Sequence, residues 1–362
     1  MNEPKRILHF QGRMGKGGAE TFMMNAFREI DRGKYVFDFV IYEDYQDVTP
    51  YHAEIKALGG HIYIVPNPNK HILKYITAVK KLLREHHFDI VHNEIFFGGG
   101  LNLWLANQAR IKQRIAHSHA TTDGKGNRFP YGAVRSFLNN LLRKNATDFL
   151  ACSNEAGIGL YGQDQPFQFV PNGIDLDQYR NVPETKATIR ERLSLPQEAV
   201  VIGHIGRFEE QKNHQFLMQI MKEVIKQHPN SYLLSIGTGR LFGETKKLAE
   251  ELGIKEHVLF LGERNDIPEL MKAMDIFLMP SLYEGLPMVA IEAQAANLKI
   301  VLSDEISPDT VLSENVTFVS LAEGVEKWAQ VILKQPFANK PLEKLAFYNR
   351  KNTAKMLEEI YS

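Results

Sequence analysis

Two doubly wound α/β domains in one chain are predicted by three observations. Short apolar runs alternate with longer helical patterns from end to end of the 362 residues. The alternation stops and then restarts after residue 195. Between the two series lies PNGIDLDQYRNVPETKA, residues 171–187, with two prolines and many polar residues. Strand–helix alternation gives mostly parallel sheets covered by helices on both faces, and ligands are then expected at the carboxyl ends of the strands. The first domain is expected over residues 1–175, a linker over 176–195 and the second domain over 196–341.

Taken in order, RILHF, VFDFVIY, HIYIV, FDIVH, QRIAHS and DFLAC read as the strands of the first series, with helices over 71–86 and 98–110 among the connections. AVVIGHIG, SYLLSIG, HVLFLG, DIFLMP and KIVLS read as the strands of the second. The segment PLEKLAFYNRKNTAKMLEEIY, 341–361, reads as a helix. It is long enough to leave the second domain and pack back on the first, over about 342–362. No repeat of solenoid period and no low-complexity run occurs.

Composition narrows the function. Lys plus Arg equals Asp plus Glu at 43 each, so no global field draws the chain onto nucleic acid, and any bound anion must be held by local groups. Cys152 is the only cysteine, which excludes a disulfide frame or a thiolate metal site. The opening MNEPKRILHF enters a strand within five residues, and no apolar stretch of about 18 residues follows. A cytoplasmic protein is the expectation.

Two glycine-rich turns and one basic turn stand where strands give way to helices. HFQGRMGKGGAETFMMNAF passes Gly12, Gly15, Gly17 and Gly18 into a helix beginning near Ala19. Glycines let a ligand approach the backbone, and a helix N-terminus offers free N–H groups to an anion. IGTGRLFG carries Gly237, Gly239 and Gly243, one residue off dinucleotide spacing. Alone, neither turn separates a ligand loop from an ordinary βα turn. HIGRFEEQKNH presents Arg207 and Lys212 at a strand end, where two cations could neutralise a diphosphate without a metal. The DLD at 175–177 has the D-x-D spacing of some metal sites but lies in the linker, so no metal is assigned.

In PSLYEGLPMVAIEAQA, residues 280–295, Glu284 and Glu292 stand with seven residues between them in an otherwise apolar stretch. Gly285 and Pro287 mark a turn into a mostly buried helix. If most of the span is helical it covers roughly 12 Å, the scale of one nucleotide-sugar. Carboxylates accept hydrogen bonds from the vicinal hydroxyls of a hexose or a ribose. On that reading Glu284 meets the sugar ring, Glu292 the ribose, and the cations the diphosphate. The alternative gives Glu284 a capping role and Glu292 a salt bridge, and the residues alone leave both open.

This stretch resembles the E-x7-E signature of the family 4 retaining glycosyltransferases, which have the GT-B fold. GKGGAET resembles their N-terminal glycine loop, HIGRFEEQKNH their diphosphate clamp, VPNGIDLDQY their interdomain stretch, and FLGERNDIPELMKAMDIFLMPS their base-side segment. The order matches over most of the chain, and the likeness is nearest to bacterial enzymes of exopolysaccharide and capsule synthesis.

The resemblance implies two Rossmann-like domains facing across a cleft and a UDP- or other NDP-sugar donor held mainly by the second. A glycan or lipid-linked acceptor is implied, with no cofactor. It places Glu284 on sugar hydroxyls with Gly285 and Leu286 offering backbone groups, Glu292 on the ribose, and Arg207 and Lys212 on the leaving diphosphate. Gly239 joins the donor loops, Arg264 and Ile267 lie at the base, and Gly17 and Gly18 approach the diphosphate or acceptor. His119 in RIAHSHATT falls where relatives face the donor sugar with a histidine, and His117 is expected on the other side of the strand. The reaction implied is a front-side displacement in which the leaving phosphate oxygen takes the acceptor proton.

One departure is the stretch LSDEISPDTVLSEN, which lacks the glycines that many relatives carry there. In RFPYGAVRSFLNNLLRKN, Val134, Phe137, Leu138, Leu141 and Leu142 form one stripe, with Arg135, Arg143 and Lys144 elsewhere. Core packing is the leading reading of that stripe, and peripheral contact with the inner membrane surface is the second. Other readings of the whole chain are a UDP-N-acetylhexosamine 2-epimerase, for which acid/base groups beyond His119 are few, and a non-catalytic nucleotide-sugar binder. An oxidoreductase would need a G-x-G-x-x-G that neither turn supplies.

Overall fold

The computed structural model describes residues 3–15, 17–120, 131–334 and 343–362. These fold as two compact units, one of Met1–Ile174 with Phe347–Ser362 and one of Asp175–Ala346. In the first, seven parallel strands form one sheet: β1 (Lys5–Gly12), β2 (Tyr35–Tyr42), β3 (Ile62–Val65), β4 (Ile90–Asn93), β5 (Gln113–Ser118), β6 (Asp148–Ala151) and β7 (Gln168–Phe169). Their order is β3-β2-β1-β4-β5-β6-β7. The chain winds outward from β1, then returns to lay β4 on its other side, so the direction of winding reverses between β1 and β4.

Successive strand residues point to opposite faces, and here both faces are dry. Ile7, Phe37, Phe39 and Ile115 pack with Phe22, Met23 and Phe27 of the helix Gly18–Glu29 and with Leu357 and Tyr361 of the helix Arg350–Tyr361. Leu8, Phe10, Val40 and Val91 face the other way, onto Tyr75, Val79 and Leu103. That is why these strands read as near-continuous apolar runs.

The second unit repeats the plan with β8 (Val200–Ile205), β9 (Ser231–Ile236), β10 (Val258–Gly262), β11 (Ile276–Met279), β12 (Lys299–Ser303) and β13 (Val316–Val319). The order is β10-β9-β8-β11-β12-β13, with the reversal between β8 and β11. β13 is a strand that the sequence series does not include.

Residues 176–195, read as a linker, carry two short helices of the second unit. Leu176–Arg180 is capped by the Asp175 side chain, which accepts from the Asp177 N–H, and Lys186–Arg192 by Thr185, which accepts from Thr188. Leu176, Tyr179 and Ile189 are buried. Polar cap residues gave the stretch its linker-like composition.

The predicted single helix at 341–361 is two pieces. A 3-10 helix over Glu343–Tyr348 precedes the α-helix Arg350–Tyr361, and Asn349 between them caps the second through the Lys351 N–H. Residues 341 and 342 lie outside the described residues. Among the described residues no helix is long and apolar enough to cross a membrane.

Candidate functional site

The carboxyl edge of the second sheet collects the predicted donor residues around the reversal between β8 and β11. β8 ends at Ile205 and delivers Gly206, Arg207 and a 3-10 turn over Glu210–Lys212. β11 ends at Met279 and delivers Glu284. The two connections are stitched together: Leu282 N–H donates to Gln211 O at 2.8 Å, Gln211 Nε2 to Tyr283 O at 3.0 Å, and Asn213 Nδ2 to Pro280 O at 3.1 Å. Lys212 Nζ lies 2.6 Å from Glu284 Oε1, and both side chains are largely buried. The Lys212 stem runs over Gly206, where an added Cβ would stand 3.1 Å from Lys212 Cδ.

Glu284 is held by its main chain as well. Its N–H donates to Glu305 O at 3.3 Å and its carbonyl accepts from the Ser307 N–H at 3.1 Å. The glycine-free stretch that departs from the family pattern is therefore what fixes Glu284. Glu284 sits in an isolated bridge with Ile306, and the helix begins only at Met288, with Pro287 extended at ψ 110°. The 12 Å helical span expected between Glu284 and Glu292 is thus corrected: helix covers only the second half of it. Gly285 and Leu286 occupy the half-buried turn that follows Glu284.

Glu292 lies in the helix Met288–Ala295 and is half-buried. Burial pushes its carboxyl up to about 7, and the Tyr179 hydroxyl, which hydrogen-bonds it, works in the opposite direction. Sequence reading missed Tyr179, which sits in the first of the two short helices. Nothing in the sequence pairs it with a residue so far along the chain.

Arg207 is exposed. Its guanidinium lies close enough to the half-buried Glu209 to help lower the Glu209 pKa, behind the larger effect of the Arg240 hydrogen bond. Gly237 and Gly239 have a role of their own. Gly237 has φ +131°, and a Cβ there would stand 2.0 Å from Gly206 O, while one on Gly239 would stand 2.6 Å from Phe208 O. Phe208 N–H donates to Thr238 O at 2.9 Å. These glycines let the β9 loop lie against the β8 loop. Arg264 follows β10 and forms a two-point pair with Asp266, Nε to Oδ1 at 2.7 Å, just before Ile267 opens the helix Ile267–Ala273.

In the first unit, Gly17 is the N-cap of the helix Gly18–Glu29. A Cβ on Gly17 would stand 2.3 Å from Glu20 Oε2, and Glu20 Oε1 accepts from Arg13 Nε at 2.9 Å. The glycine makes room for the protein's own carboxylate, a favourable charge at a helix N-terminus. Gly18 has open space at its Cβ position, and Lys16 lies outside the described residues.

His119 follows β5. Both of its ring nitrogens are buried without a hydrogen-bond partner among the described residues. Burial lowers its pKa to about 3, and the Asn172 side chain, near the ring but outside hydrogen-bond geometry, works in the opposite direction. The expectation that His117 points the other way is wrong. Residues two apart on a strand share a face, and the two rings lie 4.1 Å apart.

Behind them sits a buried polar cluster that the sequence reading missed. His9 Nδ1 is 2.7 Å from Glu94 Oε1, His92 Nδ1 is 2.6 Å from the Tyr361 hydroxyl, and His92 Nε2 is 3.1 Å from His117 Nδ1. Burial lowers the pKa of all three histidines and raises that of Glu94. Ligand atoms of His9, His92 and Glu94 lie within 4.8 Å of one another. With both nitrogens of His92 engaged by hydrogen bonds, the group reads as a neutral network rather than a metal centre.

The helix Tyr131–Asn145 also differs from expectation. Val134 is 52% and Phe137 62% exposed, with Tyr131 at 58%, and of the predicted stripe only Leu142 is buried. Core packing accounts for Leu142, with Leu138 and Leu141 half-buried beside it, but not for Val134 and Phe137. Residues 128–130 of the motif lie outside the described residues.

The family model "Glycosyltransferase Family 4" matches residues 16–178 and "Glycosyl transferases group 1" matches 185–350. The chain is 35% identical to the putative glycosyltransferase EpsF of Bacillus subtilis, over 93% of this chain and 89% of that one. It is 29% identical to an Escherichia coli UDP-Gal:alpha-D-GlcNAc-diphosphoundecaprenol alpha-1,3-galactosyltransferase, over 83% and 79%. A crystal structure of Anabaena HepE in complex with UDP superimposes with a TM-score of 0.74 at 19% identity, over 99% and 96% of the two chains.

Proposed function

Because the chain belongs to glycosyltransferase family 4, with the GT-B fold, we propose that it moves a sugar, with retention, from an NDP-sugar to a glycan or lipid-linked acceptor. UDP-sugars are the first donors to consider, and exopolysaccharide or capsule assembly at the cytoplasmic face of the membrane is the setting. The observation that carries this reading is the Lys212–Glu284 pair at the reversal of the second sheet, with Arg207 exposed on the same connection after β8. A lysine has three donors. The ion pair with Glu284 holds the ammonium in place, and donors beyond it can turn to phosphate oxygens. Names of relatives support the class: one acts on a diphosphoundecaprenol-linked sugar from UDP-Gal, and HepE was crystallised with UDP.

Glu284 accepts from donor-sugar hydroxyls, assisted by the backbone of Gly285 and Leu286, and Glu292 accepts from the ribose. Arg207 and Lys212 stabilise charge as the diphosphate leaves, work that needs no metal and no cofactor. Gly239 flanks the diphosphate, Arg264 and Ile267 flank the base, and Gly17, Gly18 and His119 serve the acceptor and sugar from the first unit. The acceptor oxygen bonds to the anomeric carbon as the bond to the phosphate oxygen breaks. The departing oxygen takes the acceptor's proton on the same face.

A thermal-shift panel of UDP-, GDP-, ADP- and dTDP-sugars on wild type and Glu292→Ala tests this. One nucleotide series should stabilise the wild type, and the variant less. No shift from any member at millimolar ligand would overturn the donor assignment.

The exposure of Tyr131, Val134 and Phe137 favours a second element, contact of this helix with an anionic lipid surface, aided by Arg143 and Lys144. Vesicle sedimentation of wild type and Phe137→Ser, with and without anionic lipid, tests it. Equal binding of the two proteins would refute it.

A further inference from the structure

The buried network of the first unit has a direction, set by which of its donors is the stronger. Burial keeps the Tyr361 phenol protonated, with its pKa raised well above the usual range. Either direction leaves one buried donor unpaired, and the phenol O–H, a stronger donor than a neutral imidazole N–H, is the one that takes an acceptor: its partner at 2.6 Å is His92 Nδ1. A neutral imidazole carries one proton. His92 must therefore hold it on Nε2 and donate to His117 Nδ1, 3.1 Å away. His117 in turn holds its proton on Nε2, which has no partner among the described residues. The His92 and His117 rings are nearly parallel with centroids 5.2 Å apart, and His117 lies 4.1 Å from His119. Phe22 closes the other side, 5.0 Å from each of the last two rings.

We propose that Tyr361 is a positioning residue for His119, acting through His92 and His117. The hydroxyl dictates the tautomer of each imidazole in turn. The last of them presents a fixed ring, with its N–H on a known side, for His119 to pack against. A side chain of the helix Arg350–Tyr361 thereby orients a group at the carboxyl end of β5, and no charge moves along the chain. This rests on the reading that His119 meets the donor sugar. The branch through His9 and Glu94 is separate: Glu94 Oε1 is 3.8 Å from His92 Nε2, beyond hydrogen-bond reach.

The test uses the full-length protein with 15N-labelled histidine, in wild type, Tyr361→Phe, His117→Gln and Tyr35→Phe. Tyr35 is the control, because its hydroxyl donates to Glu358 O of the same helix at 3.3 Å and hydrogen-bonds no histidine among the described residues. In wild type the long-range 1H–15N spectrum should show His92 and His117 protonated on Nε2. Tyr361→Phe should redistribute both tautomers and move the His119 signals, while Tyr35→Phe leaves them in place.

With UDP-glucose as donor and UDP release as readout, Tyr361→Phe and His117→Gln should each lower kcat about tenfold with little change in KM. Tyr35→Phe should stay at the wild-type rate. His117 protonated on Nδ1 in wild type, or tautomers unchanged in Tyr361→Phe, would overturn the proposal whatever the turnover. Switched tautomers with unchanged kcat, in an enzyme that His119→Ala cripples, would overturn it too. If His119→Ala itself leaves UDP-glucose turnover intact while the tautomers switch as expected, the donor reading of His119 is what has failed, and the positioning role falls with it.

Discussion

Glu292→Gln gives a sharp test of how the second unit is built. Burial lifts the Glu292 carboxyl from 4.5 to about 7. In the unfolded chain the same group releases its proton near 4.5, so across this window the folded protein keeps a proton that the unfolded chain has lost. The stability carried by the protonated form is complete below the unfolded value and is lost as pH rises through about 7. At about 1.4 kcal/mol per pH unit, the loss between about pH 5 and about pH 8 comes to roughly 2–3 kcal/mol.

Glutamine keeps the shape and never ionises. The variant should therefore gain on wild type by that amount over the interval, roughly 5–10 °C in the second unit's transition temperature. Calorimetric scans of both proteins at the two pH values, without ligand, measure it. A difference in transition temperature that is the same at both pH values would refute a buried Glu292 that is neutral at low pH. Tyr179→Phe removes the hydrogen bond that favours the ionised form, so it should push the Glu292 transition further up.

Three other outcomes are expected. Gly237→Ala forces a methyl to within 2.0 Å of Gly206 O at φ +131°, and should cost about 3 kcal/mol in denaturant melts; a loss below about 1 kcal/mol would mean that the two loops separate easily. Lys212→Met strands a Glu284 side chain that is only 11% exposed and should cost about 3 kcal/mol, with Lys212→Met/Glu284→Gln recovering most of it; no recovery would show that the pair is not what was lost.

The first unit should weaken as pH falls below about 6.5. His9, His92, His117 and His119 refuse protons that the unfolded chain accepts, while Glu94 opposes them alone. Hydrogen exchange of β1, β4 and β5 followed from neutral to mildly acid pH reads this directly, and flat protection would contradict neutral buried imidazoles.

The double set of parallel strands was legible in sequence because strands covered on both faces are uninterrupted apolar runs, and those stand out. β13 escaped because VTFV is short and only its last residue is buried. The helices within 176–195 escaped because Asp175 and Thr185 serve equally as turn residues and as caps. The clustering of Arg207, Lys212 and Glu284 was legible because they crowd into two short segments after strand ends. Their partners were not. Tyr361 lies 269 residues from His92 and Glu94 lies 85 from His9. A histidine in an apolar strand announces that it needs a partner but not which one. The His117 error was different in kind, since the two-residue period alone places it beside His119.

The division of the chain sets an order for its making. The second unit, Asp175–Ala346, is one continuous segment, whereas the first needs Phe347–Ser362. Leu357 and Tyr361 complete one of its two cores, and Lys5 Nζ on β1 donates to Tyr361 O at 2.9 Å. A ribosome that has delivered residue 346 has supplied everything for the later unit and left the earlier one open along Phe22, Phe27 and Phe37. The usual sequence of domain completion during synthesis is thus reversed. A chain released a few residues early should carry a finished second unit and an unfinished, adhesive first one.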